Sequence, residues 1–445
     1  MIWRCEVVLL GFEDIVVHKF GGSCLRDSED IRKISEIINK CQGNSIVVVS
    51  ALWGTTDRLI RAANEPRYAT RLVRDLRSQH LKFSPTIESS NLSKLFNSVL
   101  EGINISLELL SKNPQNKLHY NSLLASGERL SALIVANELQ LCGIEATPIG
   151  SEDIGLRLDG VNSALHVNIE LSKKILDYSA LKGVPVITGW FGEGNDGNLA
   201  LLSRGGSDHS AAAIARILDA KKLILWKDVG GIYSLNPRWG IETKPIPYLG
   251  YQEATELAVM DAPVVHYTTM KPVKPVGIPI EIRNLNSDLS QSAPTVIGPD
   301  ISSDNEIKAI ACLKAVSSIT IEFSKNATDL SNLEKLNQIF AQNNILNWYR
   351  NNVDGTSRFV VSKLDYKTAE ETISSFFKVK HIQHFSAMIS LIGSCDDDCL
   401  TNIETNMSLL NSEVLNDNNH STTLLVNTDN IHQIVKELSS MVLKV

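Results

Sequence analysis

Short apolar runs rich in β-branched residues, each followed by a turn, constrain the fold of this chain most strongly. The run Asp14–Phe20 ends at two glycines and precedes a helical pattern, and Asn44–Ala51 is a second run of the same kind. Later strand-like runs are Ile144–Gly150, Pro185–Thr188, Leu223–Asp228, Pro279–Arg283 and Ala293–Ile297. A continuous apolar run is typical of a strand that is covered on both faces. The alternation of such strands with helices predicts an α/β fold in which helices sandwich a mostly parallel sheet.

Two glycine pairs stand where such a sheet binds anions. Gly21 and Gly22 follow the first strand, and Lys19 precedes them, so that its ammonium can reach phosphate oxygens. Gly205 and Gly206 precede an alanine-rich helical run. Glycines let backbone N–H groups approach a ligand closely, and a helix N-terminus favours an anion. Both turns are therefore candidate anion sites, although an ordinary capped turn and a solvated lysine would have the same sequence.

Charged residues near these turns suit a zwitterionic ligand. Arg204 offers a planar fork for a carboxylate or phosphate, and Asp208 puts a carboxylate into the first helical turn. Upstream, Ser126-Gly-Glu128 is predicted to open a helix that Gly143 ends. A glutamate in a first turn is stabilised by the helix dipole without any functional role. If it lies beside Arg204, however, Glu128 would bind an ammonium group while Arg204 binds a carboxylate, as an amino acid requires.

Polar residues also follow other predicted strands. Ser50 and Thr56 come after the second run, and ligands of open α/β sheets bind at the carboxyl ends of the strands. The loop after Leu223–Asp228 carries Tyr233 and Arg238. A carboxylate, an aromatic ring and an arginine in one loop suit the ribose, base and phosphates of a nucleotide. The alternative interpretation is that the hydroxyls cap strand ends and that the loop is an ordinary strand exit.

Composition excludes several classes of protein. The chain has 445 residues, of which 43% are apolar and 21% are charged, as expected for a globular protein of two or three domains. A net charge of −7 gives no general attraction to nucleic acid or to an anionic membrane, and neither is expected as a partner. No run approaches the ~20 apolar residues of a membrane span, and Met1–Leu10 does not resemble a signal peptide. Seven cysteines without a CxxC pair are expected to be free thiols, so a cytoplasmic location is expected.

The last third of the chain has a different pattern. A polar linker, Gly298–Asn305, is followed by two weakly similar units with the order βαββαβ, which predicts paired α+β ferredoxin-like units. The expected domains are 1–299, with a helical insertion at about 65–124, then 306–384 and 385–445.

Five blocks, taken together and in this order, resemble the aspartate kinases of the amino acid kinase superfamily. The blocks are Lys19-Phe-Gly-Gly22, Val49-Ser-Ala51 with Thr56-Asp57, Ser126-Gly-Glu128, Arg204-Gly-Gly-Ser-Asp208 and Asp228-Val-Gly-Gly-Ile-Tyr-Ser-Leu-Asn-Pro-Arg238. This glycine pattern differs from the GxxxxGK[ST] loop of other nucleotide-binding proteins. The resemblance implies the amino acid kinase fold and transfer of the γ-phosphoryl group of ATP, with Mg²⁺, to the side-chain carboxylate of L-aspartate. The product would be 4-phospho-L-aspartate, at the first step of lysine, threonine and methionine biosynthesis.

The resemblance also implies roles for individual residues. Those expected at the phosphoryl-transfer centre are Lys19, Gly22 and Asp208. Those expected to hold L-aspartate are Ser50, Thr56, Glu128, Arg204 and Ser207. Those expected to face ATP are Lys19, Gly21, Gly22, Lys227, Asp228, Tyr233 and Arg238. No side chain is expected to ligate a metal. A carboxylate nucleophile needs no general base, so His18, His209 and His266 are expected to be structural.

Departures from the family pattern affect the expected ATP site. Ser203 replaces a glycine, Ser23-Cys24 replaces Thr-Ser, and Lys227 replaces a threonine. In the later segment Asp261-Ala-Pro-Val-Val-His-Tyr267, Pro263 replaces the lysine that reaches the ATP phosphates in the family. We hypothesise that Lys227 supplies the missing charge, in which case Lys227→Ala would raise the KM for ATP.

The C-terminal units resemble the tandem ACT domains of aspartate kinases, which implies a homodimer and an amino-acid effector. Two alternatives stay open. The acceptor could be another small amino acid or carboxylate, or the chain could be a catalytically impaired ACT-type regulatory homologue. Lys19, Arg204 and Asp208 argue against the impaired homologue, because a site that has lost its activity tends to lose its charged residues first.

Overall fold

The computed structural model describes most of the chain in two compact units. The described residues are 14–41, 44–160, 165–203, 205–260, 264–288, 294–301, 306–324, 326–351, 355–394, 398, 401–403, 405, 412–418 and 420–443. The first unit comprises Met1–Gly160, Leu165–Gly231 and Thr268–Gly298. The second comprises Val161–Ala164, Ile232–Tyr267 and Pro299–Val445. The segment Ile232–Tyr267, which the sequence analysis placed with the first domain, thus belongs to the second unit.

The secondary structure alternates strands and helices in the first half of the chain. The strands are β1 (Val16–Phe20), β2 (Ser45–Val49), β3 (Ala146–Ile149), β4 (Leu158–Asp159), β5 (His166–Val167), β6 (Val184–Thr188), β7 (Phe191–Glu193), β8 (Leu199–Leu201), β9 (Lys222–Lys227), β10 (Tyr248–Gly250), β11 (Ile280–Asn284), β12 (Thr295–Gly298), β13 (Ile307–Glu322), β14 (Asn347–Asn351), β15 (Thr356–Ser362), β16 (Val379–Gly393), β17 (Ser412–Asn418) and β18 (Ser421–Val426). The helices are α1 (Ser28–Lys40), α2 (Thr55–Asn64), α3 (Pro66–Phe83), α4 (Ser93–Lys112), α5 (Lys117–Leu141), α6 (Ile169–Ile175), α7 (Gly206–Ile217), α8 (Tyr251–Met260), α9 (Met270–Val273), α10 (Ala327–Gln342), α11 (Tyr366–Ser374) and α12 (Ile431–Val442).

A mostly parallel sheet forms the centre of the first unit, which confirms the predicted fold class. Seven of its strands lie in the order β12-β11-β9-β1-β2-β6-β3. Neighbours from β11 to β3 are parallel, and β12 pairs antiparallel with β11. Strand β2 is buried along its whole length, as its apolar β-branched sequence predicts. Helices α5 and α7 pack on the sheet, and side chains of α1 to α5 join one large core with those of β1 and β2.

Helix α5 begins earlier than the sequence analysis predicted. Its N-cap is Asn116, whose side chain accepts a hydrogen bond from the backbone N–H of His119 at 3.2 Å. Ser126 is inside the helix, where its hydroxyl donates to the carbonyl oxygen of Ser122 at 2.9 Å. The prediction that Ser126-Gly-Glu128 opens a helix is therefore wrong, because the polar residues after Lys117 continue one. Glu128 lies in the middle of α5 and not in its first turn.

An antiparallel sheet forms the centre of the second unit. Its strands lie in the order β14-β15-β13-β16-β18-β17, and the α+β class predicted for this region is confirmed. The sequence has strand patterns near Ile319–Phe323 and Ala387–Gly393. The strands at these places, β13 and β16, are longer, with 16 and 15 residues, and pair along most of their length.

Two apolar cores share the two long strands. One core contains Ile319 and Ile321 with residues of α10 and α11, whereas the other contains Ile307 and Ile310 with residues of α12. Ala315, with a φ of 56°, separates the two halves of β13. The sequence near Leu400–Leu410 has a helical pattern, but most of this segment lies outside the described residues. In the part of the chain that the structure describes, no helix combines the length and apolar character needed to cross a membrane.

Candidate active site

A cavity of about 620 Å³ lies at the carboxyl ends of the parallel strands in the first unit. Ligands of open α/β sheets bind at this edge. The lining residues follow β1, β2 and β6 or belong to α2, α5 and α7. They are Lys19, Gly22, Ser50, Ala51, Leu52, Trp53, Gly54, Thr56, Asp57, Ile60, Glu128, Trp190, Gly205, Gly206, Ser207 and Asp208. The fold therefore brings together residues that lie almost two hundred positions apart in the sequence.

One carboxylate holds two lysines at the edge of this cavity. Asp208 Oδ1 lies 2.6 Å from Lys19 Nζ, and Asp208 Oδ2 accepts a hydrogen bond from Lys227 Nζ at 2.8 Å. The side chains of Lys19, Asp208 and Lys227 are only 6%, 7% and 15% exposed. We call these three residues the Asp208 cluster. Because the Asp208 cluster contains two cations and one anion, the formal charge of the cluster is positive.

Burial and charge act against each other in the Asp208 cluster. Burial alone would raise the pKa of the Asp208 carboxyl, but the two ammonium groups outweigh it and hold that pKa well below its usual range. Burial lowers the pKa of the Lys19 ammonium; the Asp208 carboxylate opposes this shift, and Lys227 adds to it. A buried anion that contacts two cations stays ionised across the physiological range.

Glycines leave room for ligands at both predicted turns. Gly205, with a φ of 79°, is the N-cap of α7, and this left-handed conformation favours glycine. A Cβ atom on Gly206 would lie 2.5 Å from the Cβ atom of Leu202, so a larger residue there would force the backbone to shift. A Cβ atom on Gly21 would lie 3.1 Å from Lys19 Nζ, and one on Gly22 would lie 3.2 Å from a backbone oxygen. The glycines therefore keep space open beside the Lys19 ammonium.

Glu128 is a buried carboxylate with an unused oxygen. It is 3% exposed and lines the cavity from the middle of α5. Burial raises its pKa to about 8, against the hydrogen bond from the backbone N–H of Ala51 and the charge of Lys19. Among the described residues, Glu128 Oε2 has no hydrogen-bond partner. The helix dipole offers no reason for a carboxylate at mid-helix, so a cationic ligand group is the natural partner of this oxygen.

Most of the other residues predicted to bind the acceptor also line the cavity. Ser50, Thr56 and Ser207 line the cavity together with Glu128. Arg204 lies outside the described residues, as does Pro263. The structure therefore gathers four of the five residues that were expected to hold an amino acid.

The residues predicted to face a nucleotide lie in both units. Asp228 follows β9 in the first unit, is half-exposed and accepts a hydrogen bond from Arg26 Nη2 at 2.8 Å. Tyr233 and Arg238 belong to the second unit. Tyr233 forms an isolated bridge with Pro245, and Arg238 lies in a short 3₁₀ helix. The roles of these three residues stay predictions.

Two tryptophans at the cavity, Trp53 and Trp190, were not among the predicted site residues. Trp190 has a φ of 75°, a strained conformation for a bulky residue. Its Nε1–H donates to the carbonyl oxygen of Leu202 at 2.7 Å, and its backbone N–H donates to Ser210 Oγ at 3.1 Å. Trp53 is 58% exposed, and the guanidinium of Arg26 lies 4.7 Å from its ring centroid. Their positions directly after β6 and β2 were the available signal, because strand ends carry ligand-binding residues.

The histidines near the motifs make structural contacts. His18 is buried, and its Nδ1 accepts a hydrogen bond from Trp226 Nε1 at 3.3 Å. Burial lowers its pKa to about 3, so the ring is neutral. His209 Nε2 accepts from the backbone N–H of Val167 at 3.2 Å, and its Nδ1 lies 2.9 Å from the carbonyl oxygen of Thr268.

These features define a class of protein. Glycine turns at the carboxyl edge of a parallel sheet, together with two buried lysines and a helix N-terminus, form an anion site of an α/β ligand-binding protein. The model of the amino acid kinase family matches residues 14–284, more than half of the chain. The chain belongs to the amino acid kinase family.

Within this family, the chain is similar to aspartokinases. Arabidopsis thaliana aspartokinase 1, chloroplastic, is 29% identical over 60% of this chain and 49% of its own length. The chain thus spans about half the length of that relative. The aspartokinase of Rickettsia felis is 26% identical over 96% of this chain and 98% of its own length.

A solved structure has the same fold. The crystal structure of Escherichia coli aspartokinase III in complex with aspartate and ADP has a TM-score of 0.77, with 21% sequence identity. The likeness covers 97% of this chain and 100% of that one. The resemblance to aspartate kinases predicted from the sequence is confirmed.

Proposed function

We propose that this protein transfers the γ-phosphoryl group of MgATP to the side-chain carboxylate of L-aspartate, yielding 4-phospho-L-aspartate and ADP. One observation carries the proposal. A single cavity contains a buried carboxylate with an unused oxygen, Glu128, and a buried ammonium, Lys19. The Glu128 carboxylate suits the α-ammonium group of an amino acid. The Lys19 ammonium suits the phosphoryl group that is transferred to that amino acid.

The acceptor is held by groups at the end of β2, in the middle of α5 and at the start of α7. Glu128 binds the α-ammonium, Arg204 binds the α-carboxylate, and Ser50, Thr56 and Ser207 donate hydrogen bonds. The side-chain carboxylate of L-aspartate then points towards Lys19. A carboxylate oxygen attacks the γ-phosphorus, and the bond from that phosphorus to the bridging oxygen of ADP breaks. No proton has to be removed from the nucleophile, so that the reaction depends on positioning and charge stabilisation.

The donor is held by the glycine turn and by the residues after β9. Backbone N–H groups of Gly21 and Gly22 contact the phosphates, and Lys19 neutralises charge on the group in transfer. Asp228, Tyr233 and Arg238 contact the rest of ATP. Magnesium enters with the phosphates of ATP and neutralises part of their charge. Both oxygens of Asp208 contact lysines, so we assign this carboxylate to the lysines and no metal-ligating role to any side chain.

The remaining parts of the proposal concern organisation. We propose a catalytic domain at 1–299 and ACT-like units at 306–384 and 385–445. The solved structure of Escherichia coli aspartokinase III in complex with lysine and aspartate supports an amino-acid effector for this chain as well. A homodimer through the ACT-like units and a cytoplasmic location complete the proposal.

Hydroxylamine trapping tests the reaction. An acyl phosphate reacts with hydroxylamine to give a hydroxamate, whereas a phosphate ester does not. The protein is incubated with MgATP and with L-aspartate, L-glutamate, N-acetyl-L-glutamate or succinate. Fastest hydroxamate formation with L-aspartate is the expected result. A faster reaction with another acid would assign a different acceptor, and failure with every acid would exclude the kinase.

A further inference from the structure

We propose that Lys227, whose ammonium lies on the second oxygen of Asp208, is a second catalytic lysine that contacts the donor phosphates. This inference rests on the proposed function and adds a residue to it. Lys19 contacts Oδ1 of Asp208 and lines the cavity, whereas Lys227 contacts Oδ2.

Strand register places the two lysines on one face of the sheet. Strands β1 and β9 are parallel neighbours, and Lys19 is paired with Leu225. Successive side chains of a strand alternate between faces, so Lys227, two residues beyond Leu225, projects to the same face as Lys19. Phe20 and Trp226 project to the other face, where their rings stack at 5.8 Å. The arrangement is therefore fixed by the backbone and not by the flexibility of two long side chains.

Each lysine has its own oxygen on Asp208. Lys19 Nζ lies 2.6 Å from Oδ1, and Lys227 Nζ lies 2.8 Å from Oδ2. The carboxylate comes from the first turn of α7, whose backbone is tightly packed at Gly206. A rigid helix start thus holds two ammonium groups at a set separation, which is what positioning of a transferring phosphoryl group requires.

The charge of the cluster calls for an anion. Two ammonium groups and one carboxylate leave one positive charge in a largely buried place. Burying an unmatched charge is costly, and a bound phosphate removes this cost. Donor phosphates carry several negative charges, and negative charge shifts from the γ-phosphoryl group to ADP during transfer. With two adjacent lysines, an ammonium group is available to neutralise this charge before and after the shift.

The surroundings of the lysines distinguish their roles. Lys19 and Asp208 line the acceptor cavity; Lys227 is not among its described lining residues, and its side chain is partly exposed. It is followed directly by Asp228, at the end of β9. We therefore assign Lys227, at the end of β9, to the donor and not to the acceptor.

Substitutions of Lys227 test this assignment against a matched control. The test variants are Lys227→Met and Lys227→Arg, and the control is Lys222→Met, at the opposite end of the same strand. Lys227→Met should lower kcat on the order of 10²-fold, as loss of one charge-stabilising donor does, and should raise the KM for ATP. The KM for L-aspartate should stay within a factor of about two. Lys227→Arg should restore part of the turnover, and Lys222→Met should behave like the unmodified protein.

A binding measurement separates this inference from the proposed function. Calorimetric titration compares a non-hydrolysable ATP analogue with AMP, which lacks the outer phosphates. Lys227→Met should weaken binding of the analogue about tenfold or more and leave AMP unchanged. Equal affinity of the variant and the unmodified protein for the analogue, or unchanged kcat, would overturn the role of Lys227. If the unmodified protein phosphorylates no acceptor, the proposed function fails, while the titration still decides whether Lys227 binds outer phosphates. Should Lys227→Met not fold, the unmodified protein and Lys227→Arg are titrated instead, and equal affinity of the unmodified protein for the analogue and for AMP would overturn the assignment.

Discussion

The two ends of the central sheet carry clusters of the same composition in different surroundings. At the carboxyl end, Asp208 contacts Lys19 and Lys227, one on each oxygen. Towards the amino end, Glu281 of β11 contacts Lys222 and Arg283, also one on each oxygen and both at 2.8 Å. We call the second group the Glu281 cluster. Each consists of two cations around one carboxylate.

The surroundings, and not the charges, distinguish a candidate site from a structural network. Asp208 belongs to the first turn of a helix and lines a cavity beside a glycine turn. Glu281 belongs to a strand, and its partner Lys222 is 32% exposed, so that solvent already stabilises this cation. A positive cluster becomes an anion site where backbone N–H groups and open space adjoin it.

The largest expected difference between the clusters is in turnover. Asp208→Asn removes the charge that positions both lysines, so we expect kcat to fall on the order of 10³-fold. Glu281→Gln makes the matching change at the other end of the sheet, and we expect kcat to stay within about twofold. Both variants should melt at lower temperature, because each leaves a buried cation with a weaker partner. Steady-state kinetics and thermal melting provide the measurements, and equal losses of turnover in the two variants would contradict the comparison.

The next largest effect concerns the acceptor. Glu128→Gln keeps the shape of the side chain but removes the charge that binds the α-ammonium, so the KM for L-aspartate should rise on the order of 10²-fold. The same change relieves the burial of an unpaired carboxylate and should raise the melting temperature of the ligand-free protein at pH 9. Glu101→Gln, on the exposed side of α4, is the matched control and should change neither quantity. A Glu128→Gln variant with a normal KM for L-aspartate would remove Glu128 from the acceptor site.

A pH effect follows from the raised pKa of the same residue. The free protein keeps Glu128 protonated up to a pH of about 8, whereas binding of an ammonium group requires the ionised form. The KM for L-aspartate should therefore rise about tenfold per pH unit below pH 8 and level off above it. Binding at pH 7 should also release a proton, which titration calorimetry in buffers of different ionisation enthalpy measures. In Glu128→Gln this dependence should disappear; a pH-independent KM in the unmodified protein would show that the carboxylate is already ionised.

The stability of the ligand-free protein should fall as pH rises, whereas the binding of L-aspartate becomes tighter. The unfolded chain loses the Glu128 proton near the ordinary pKa of 4.5, and the folded protein keeps it to about pH 8. Between these values the folded state binds more protons, so the contribution of Glu128 to the free energy of unfolding falls as pH rises. The same burial thus weakens the fold and prepares the site for a cation.

The sequence predicted the sheet well and the clusters poorly. Continuous β-branched runs such as Ser45–Val49 locate buried strands, and glycines locate the turns. The pairing of Lys19 with Lys227 depends on β1 lying next to β9, which no local pattern encodes. Each lysine could be found from its own motif, but their common carboxylate partner could not. Contacts between residues of adjacent strands that are far apart in the sequence leave no pattern in either local segment.

Glu128 shows how a local error changes a functional interpretation. In a first helical turn the helix dipole would stabilise the charge of Glu128, so no ligand would be needed. The cap at Asn116 sits in a polar stretch that resembles a loop, and the helix runs on through Glu128. Burial at mid-helix then turns an ordinary glutamate into a group that lacks a partner. Trp190 was missed for another reason: its left-handed backbone is unfavourable for a bulky residue, and its hydrogen bonds to Leu202 and Ser210 form only in the folded chain.

The smallest expected effects come from two glycines, one at the Asp208 cluster and one remote from both clusters. A Cβ atom on Gly206 would lie 2.5 Å from the Cβ atom of Leu202, so Gly206→Ala must shift the start of α7 and should cost about 1–3 kcal/mol of stability. A Cβ atom on Gly102, inside α4, would meet nothing within 4 Å, and Gly102→Ala should stabilise the protein by about 0.5–1 kcal/mol. Denaturant unfolding measures both changes. Because α7 positions Asp208, Gly206→Ala should also lower kcat while Gly102→Ala leaves it unchanged. A Gly206→Ala variant with normal turnover would show that the lysines keep their places without a rigid helix start, and the two ends of the sheet would then differ only in the open space beside them.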